Sequence, residues 1–358
     1  MKIASPAMPQ RHVAPAKSGR RRTDRSSIRA VAIGGGTGLS TLLRGLRRYV
    51  ASPHPSAETP DCPCLISDLA AVVTVTDDGG SSGRLRHSFN MLPPGDLRNC
   101  MVALSEDEHL ISRLFRHRFT AGEGLEGHSF GNLFVAALSE ITGDFAQAIK
   151  LSSQVLATRG HIYPATNSNV SLVARMDDGS LVHGETNVTA SRQRIMELML
   201  EPANAEPLPE TLDAIQRADL ITVGPGSLFT SIITNLLVKG VSEAIAASHA
   251  VRVYICNLMT QANESLNLTA SQHIERIYEH ARQPIFDYAV VNTAPVSQVL
   301  LDRYAGEGAS PIVADIEAIE ALGVRCIAGD FAAEGDVVRH AADRVTDALL
   351  RVGMAGRR

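Results

Sequence analysis

A run of glycines set between an apolar strand and a helix constrains this chain more than any other stretch. Residues Arg29–Arg48 read RAVAIGGGTGLSTLLRGLRR. The apolar segment Ala30–Ile33 predicts a buried strand, and Leu39, Leu42, Leu43 and Leu46 fall at the spacing of one helix face. Between them lie Gly34, Gly35, Gly36, Thr37 and Gly38. Glycines let backbone N–H groups approach an anion without a side chain in the way, and a helix N-terminus carries partial positive charge. The stretch predicts a phosphate-binding loop inside an α/β fold.

The pattern recurs. Leu69–Val75 reads as a buried strand that runs into Thr76-Asp77-Asp78-Gly79-Gly80-Ser81-Ser82-Gly83. Leu220–Val223 predicts another strand, followed by the turn Gly224-Pro225-Gly226-Ser227 and a helix from Leu228. Ala250–Cys256 is a third strand, ending in Asn257-Leu258-Met259-Thr260-Gln261, and Phe286–Val291 a fourth, ending in Asn292-Thr293. Strand, polar loop and helix in alternation predict a mostly parallel sheet with helices on both faces. In such sheets ligands bind in a crevice outside the carboxyl ends of the strands.

Candidate site residues follow from that placement. Asp77 and Asp78 at a strand's carboxyl end could hold ribose hydroxyls, coordinate a divalent cation or act as a base. The alternative is an ordinary Asp-Gly turn. Pro93-Pro94-Gly95 is a turn, after which Asp96 is expected to cap a helix, with Asn99 on the same face. His128 and Asn132 lie one turn apart at the start of an apolar helix, where an amide needs a partner. Leu172–Met176 and Leu181–Val188 predict a hairpin, and there Asp177-Asp178-Gly179-Ser180 is only its turn. That hairpin belongs to an inserted α+β sub-lobe, expected at about residues 141–209. Val337–Val352 predicts a closing helix.

Several activities are disfavoured. Leu39 replaces the third glycine of a dinucleotide fingerprint, and no Gly-Lys-Ser/Thr follows for a Walker loop. Asp77 comes more than 40 residues after Gly34, where a dehydrogenase places its ribose acid after about 20. No ordered nucleophile triad or His/Cys zinc cluster stands out. Residues 1–29 hold eight Lys/Arg against one acid, so a chain of net charge −4 carries −11 over the rest. The arm 1–28 reads as a disordered basic leader or a transit peptide, without the apolar core of a secretory signal. The acidic body argues against nucleic acid as partner, and no apolar run is long enough to span a bilayer. Five cysteines, an odd number, argue against a disulfide framework and for the cytoplasm. Residues 29–352 are expected to form one α/β domain.

The motifs taken together resemble one family, the CofD-like proteins, and within it the gluconeogenesis-factor (YvcK-type) branch. The matching stretches are AIGGGTGLSTLLRGL (Ala32–Leu46), TDDGGSSGRLR (Thr76–Arg86), LPPGDLRNCMVAL (Leu92–Leu104), GHSFGNLFVAAL (Gly127–Leu138), GPGSLFTSI (Gly224–Ile232), NLLV (Asn235–Val238) and CNLMTQ (Cys256–Gln261). The resemblance implies a doubly wound, Rossmann-like sheet with a nucleotide or nucleotide-sugar pocket at its carboxyl edge. For the YvcK-type branch it implies UDP-N-acetylglucosamine as ligand and a link to gluconeogenic growth, cell-wall synthesis and cell shape. For the 2-phospho-lactate transferase branch it implies transfer of a phospholactyl group from guanosine diphospho-lactate to a deazaflavin alcohol, with Mg2+ at Asp77 and Asp78. The Gly38-Leu39-Ser40 sequence looks like the YvcK pattern. Where the family reads Pro-Gly-Glu-Thr, this chain has Ala262-Asn263-Glu264-Ser265. Self-association and a cell-wall or signalling partner stay open at this point.

Overall fold

The computed structural model describes residues 27–52, 62–105, 110–191, 193–262 and 264–356. The basic leader therefore lies outside the described residues up to position 26, as do residues 53–61 and Asn263.

The first strand, β1 (Ile28–Gly34), is buried at every position but Arg29. A short apolar run with no polar face must be covered on both sides, which places it in the middle of a parallel sheet. It pairs parallel with β2 (Ile66–Val73) on one side and with β7 (Leu220–Val223) on the other. Beyond β2 lies β3 (His161–Pro164); beyond β7 come β8 (Val251–Ile255), β9 (Tyr288–Asn292) and β10 (Arg325–Gly329). All six pairings are parallel. The sheet order is the doubly wound 3-2-1-4-5-6 arrangement with one further strand, and its switch point falls between β1 and β7. The α/β, Rossmann-like class expected from the sequence is what the chain forms.

Two matching clamps hold the amino edges of the strands. Arg29 donates its backbone N–H and Nε–H to Asp219 Oδ2, at 2.8 and 3.0 Å. Arg252 does the same to Asp287 Oδ2, at 2.9 and 3.0 Å, with its terminal nitrogen on Oδ1 at 2.6 Å. The clamps join β1 to the start of β7 and β8 to the start of β9, opposite the edge where the glycine loops lie.

After β1, helix α1 (Gly36–Leu46) packs Leu39, Leu42, Leu43 and Leu46 into the core. After β2 come α2 (Gly80–Phe89), α3 (Gly95–Leu104), α4 (Leu110–Arg116) and α5 (Phe130–Thr142). The crossover from β3 to β7 carries a separate antiparallel sheet of β4 (Ser171–Met176), β5 (Leu181–His183) and β6 (Ile195–Glu201), in the order β5-β4-β6. Only that stretch is set apart. The residues expected to open the insertion, from 141, instead supply the end of α5, the helix Phe145–Val155 and the main-sheet strand β3.

The hairpin forms, but its second strand stops at His183. Gly184 has φ +88°, outside the range a continuing strand uses, and Glu185–Ala190 is a helix. The closing segment also differs from expectation. Val338–His340 is a strand, β12, antiparallel to β11 (Ala332–Glu334), and the helix runs from Ala342 to Ala355. Pairing across this ribbon overrides the helical spacing of the first apolar residues. Among the described residues no single helix is long and apolar enough to cross a membrane.

Candidate functional site

A cleft of about 260 Å³ opens at the switch point. Its floor is the loop after β1, Gly35, Gly36, Thr37 and Gly38, facing Pro225, Gly226 and Ser227 after β7. The two loops touch. A Cβ on Gly38 would lie 2.4 Å from the Pro225 carbonyl oxygen, so glycine here permits backbone to meet backbone. Gly36 has φ +63°, a conformation that other residues adopt only with strain.

The segment after β7 begins as a widened helix, Leu228–Ile233, in which the Ile232 N–H reaches back five residues to the Ser227 carbonyl at 3.0 Å. That turn brings Ser231 against Gly35 and Gly36. Asn235, fully buried, donates from Nδ2 to the carbonyls of Gly34 and Ser231, tying this helix to the end of β1.

The third wall follows β8. Asn257 holds Gly226 by two bonds: it accepts the Gly226 N–H at 3.2 Å and donates to the Gly226 carbonyl at 2.7 Å. Gln261 donates to Ser227 Oγ at 3.0 Å. Thr260 pairs with Ser310 through both its backbone and its hydroxyl. Glu264 and Ser265 keep this loop in place although the residues before them depart from the family pattern. The Glu264 carboxylate accepts the Phe229 N–H and the Thr230 hydroxyl, and Ser265 Oγ accepts the Gln261 N–H. Leu258 and Met259 add apolar surface, and Tyr304, Arg339 and His340 close the far side. His340 donates Nε2–H to the Cys256 carbonyl at 3.0 Å, and burial pulls its pKa down to about 4, so the ring is neutral. The residues lining the cleft include no carboxylate and one permanent cation, Arg339.

Beside the cleft, at the carboxyl end of β2, lies a second polar cluster. The Asp96 carboxylate does not cap its own helix, as the sequence suggests; α3 starts one residue earlier, after Pro94. Oδ2 of Asp96 accepts the Gly36 N–H at 2.7 Å instead, so one amide of the glycine loop is already engaged. Burial pushes the Asp96 carboxyl up to about 6; the Gly36 and Asn99 hydrogen bonds and the Arg98 charge hold it back from rising further.

Asp77 and Asp78 turn to different neighbours. Asp77 Oδ1 accepts the Gly79 N–H at 2.9 Å, an Asx turn. Asp78 Oδ1 accepts both the N–H and the hydroxyl of Thr186, at 2.8 and 2.5 Å, which binds the inserted helix Glu185–Ala190 to this loop. Among the described residues no three His, Cys, Asp or Glu side chains converge as a metal site. Glu185 is half-buried and accepts the Thr76 hydroxyl at 2.8 Å, and desolvation, with Asp77, Asp96 and Glu264 around it, drives its pKa up to about 8.

Ser81, at the start of α2, joins the two members of the His128/Asn132 pair. Its hydroxyl lies 3.0 Å from His128 Nδ1 and accepts from Asn132 Nδ2 at 3.1 Å. Burial, together with Arg84 and Arg118, lowers the His128 pKa. The Ser81 hydroxyl thus ties His128 and Asn132 together, and the trio clasps α2 to α5. Gly83 and Ser82 pack against Asp78 and Gly95 respectively.

The profile of one protein family, described as 2-phospho-L-lactate transferase CofD, matches residues 30–332. The chain belongs to the CofD family. Its similar relatives there carry the name gluconeogenesis factor. One from Halalkalibacterium halodurans is 46% identical over 89% of this chain and 95% of its own length. One from Bacillus subtilis is 44% identical over 88% of this chain and 95% of its own. A crystallised Bacillus halodurans protein superposes with a TM-score of 0.84 at 45% identity, covering 90% of this chain and 99% of that one. The gluconeogenesis-factor branch of the CofD family is thus the one this chain joins.

Within that CofD-family frame the expected residues divide into two groups. Gly35, Gly36, Thr37, Gly38, Pro225, Gly226, Ser227, Asn257 and Thr260 line the cleft. Gly34 and Gly224 sit just behind it, with Gly224 donating to the Ile33 carbonyl. Asp77, Asp78, Gly79, Gly80, Ser81, Ser82, Gly83, Asp96, Asn99, His128 and Asn132 belong to the neighbouring cluster, joined to the cleft through the Asp96–Gly36 bond. Thr41 and Ser231 also line the cleft wall; Tyr304, Arg339 and His340 there, and Glu185 in the cluster, carry no motif that marks them in the sequence. Tyr304 and Arg339 come from a helix end and a two-stranded ribbon with no motif around them. Their approach is visible only in the fold.

Proposed function

We propose that this chain is a cytoplasmic nucleotide-sugar-binding regulator, with a ligand of the UDP-N-acetylglucosamine type. We further infer that the bound state couples gluconeogenic carbon metabolism to cell-wall synthesis and cell shape, as the names of its relatives suggest for the carbon side. One observation carries the ligand reading. The switch-point cleft is rich in backbone and side-chain donors, has no carboxylate in its lining and holds Arg339 at its rim. That is the chemistry of a diphosphate site. Thr37 and Ser227 supply hydroxyls beside it, and Tyr304, Leu258 and Met259 supply the apolar part of the lining against which a base can rest.

The test is a thermal-shift and calorimetric titration of the whole chain. UDP-N-acetylglucosamine at about 100 times its dissociation constant should add about 2.7 kcal/mol of stability. No response to it, beside a clear response to guanine nucleotides, sinks the proposal. The description of the matching family profile favours a second reading, the Mg2+-dependent phospholactyl transferase. In that reading Asp77 and Asp78 would hold Mg2+ together with ligand phosphates, since their bonds to Gly79 and Thr186 engage only Oδ1 of each carboxylate, and the ion would offset charge on the transferred group. Release of guanosine monophosphate from the donor in the presence of deazaflavin acceptor and Mg2+ is its signature. Absence of release from ligand-competent protein removes it.

A further inference from the structure

The segment Cys62-Pro63-Cys64 lies at the amino edge of the sheet, just before β2 and away from the cleft. Its backbone is folded back on itself. Cys64 sits in the left-handed region with φ +48°, and its N–H points at Cys62 Sγ at 3.1 Å. Cys62 Sγ also lies 3.8 Å from the Arg48 carbonyl oxygen, at the turn that ends α1. Both sulfurs are free thiols, Cys64 exposed and Cys62 half-buried. Pro63 fixes φ between them, so few conformations separate the pair from contact. Among the other cysteines, Cys100 and Cys256 are buried in the core and Cys326 is alone.

We propose that Cys62 and Cys64 form a thiol–disulfide exchange site, a dithiol that closes to an intramolecular disulfide when it meets a low-molecular-mass disulfide. Cys62 is the attacking sulfur, because the Cys64 N–H is aimed at the charge it carries during attack. The Cys62 thiolate displaces one thiolate from the small disulfide and forms a mixed disulfide. Cys64, having given its proton to solvent, then attacks Cys62 Sγ, forms the Cys62–Cys64 bond and releases the second small thiolate. Two protein thiols are oxidised and one small disulfide is reduced to two thiols. The hydrogen bond to Cys62, then burial, holds the Cys64 thiol up at about 11 in the reduced pair. Once Cys62 is bound in the mixed disulfide its charge is gone, so the second step is released by the first.

The experiment treats the full chain with glutathione disulfide and reads each cysteine peptide by mass spectrometry without reduction. The Cys62–Cys64 peptide should lose two hydrogens and retain no glutathione, reversibly with dithiothreitol, whereas Cys326 should stop at a glutathione adduct. Cys64→Ser should trap one glutathione on Cys62, and Cys62→Ser should slow modification of the peptide at least tenfold. Wild-type protein that keeps glutathione on this peptide as Cys64→Ser does would overturn the proposal. So would oxidation that joins two chains through these residues.

Discussion

Asp96→Asn is the substitution that most directly probes the join between the two clusters. The side chain is half-buried and its carboxylate takes the Gly36 N–H at 2.7 Å, with its pKa raised from the ordinary 3.8 to about 6, chiefly by desolvation. At about 1.4 kcal/mol per tenfold, that rise corresponds to about 3 kcal/mol of penalty for ionising the folded form. The sign follows from proton counting. The folded state binds its proton more tightly than the unfolded state, so stability falls as pH rises from about 4 to about 6 and is flat beyond. Asparagine keeps an acceptor oxygen for Gly36 and has no charge to desolvate, but its NH2 group replaces an oxygen acceptor, at a cost of about 1 kcal/mol at any pH. The variant should therefore be about 1–2 kcal/mol more stable than wild type near pH 7.5 and no more stable near pH 4. Urea unfolding followed by circular dichroism at steps across this range reads the difference directly. The variant should also bind an anionic ligand more tightly, since a negative charge beside Gly36 is gone. Lower stability at every pH, or a difference that does not change with pH, would refute the desolvated-carboxylate reasoning. The carboxylate would then be holding the loop rather than straining it.

Two further outcomes can be measured. Gly38→Ala places a methyl 2.4 Å from the Pro225 carbonyl, a backbone atom that cannot swing away, and should cost about 1–3 kcal/mol in thermal unfolding while weakening ligand binding at least tenfold; unchanged binding would mean that the two loops do not form one cradle. Glu185→Gln mimics the neutral acid that burial favours, with its pKa at about 8, so its stability advantage over wild type should grow from about pH 4.5 and level off only near pH 8, later than that of Asp96→Asn, as followed by melting temperature against pH.

The sheet was legible because its strands are short apolar runs that end in glycine or polar loops, and both properties are local. Leu220–Val223 and its Gly-Pro-Gly turn needed no tertiary information. The roles of single polar residues were less readable. Asp96 has the sequence of a helix cap and serves a loop 60 residues away. Asp78 looks like a ligand-holding acid and holds the inserted helix through Thr186. In each case the residue type announces a need for a partner, and only the fold supplies its identity. Glu185, an acid between a glycine and a threonine, has a surface pattern in the sequence, whereas the insertion folds it against Thr76. Arg339 reaches the cleft on β12, which pairs with β11, and Tyr304, whose hydroxyl accepts the Val338 N–H, reaches it from a helix end, an arrangement no period in the sequence encodes.

The widened turn at Leu228–Ile233 has a consequence for how this site tolerates change in length. Its five-residue hydrogen bond from Ile232 to Ser227 accommodates one residue more than an ordinary α-helical turn would. Deleting a single residue there could restore regular helix while leaving Asn235 and everything beyond in place, yet it would rotate Ser231 by roughly a quarter turn off the glycine loop. The bulge works as a spacer between two registers, one set by the packing of Asn235 behind β1 and one set by the cleft. A homologous chain that lost it would retain the same core and present a different wall to its ligand.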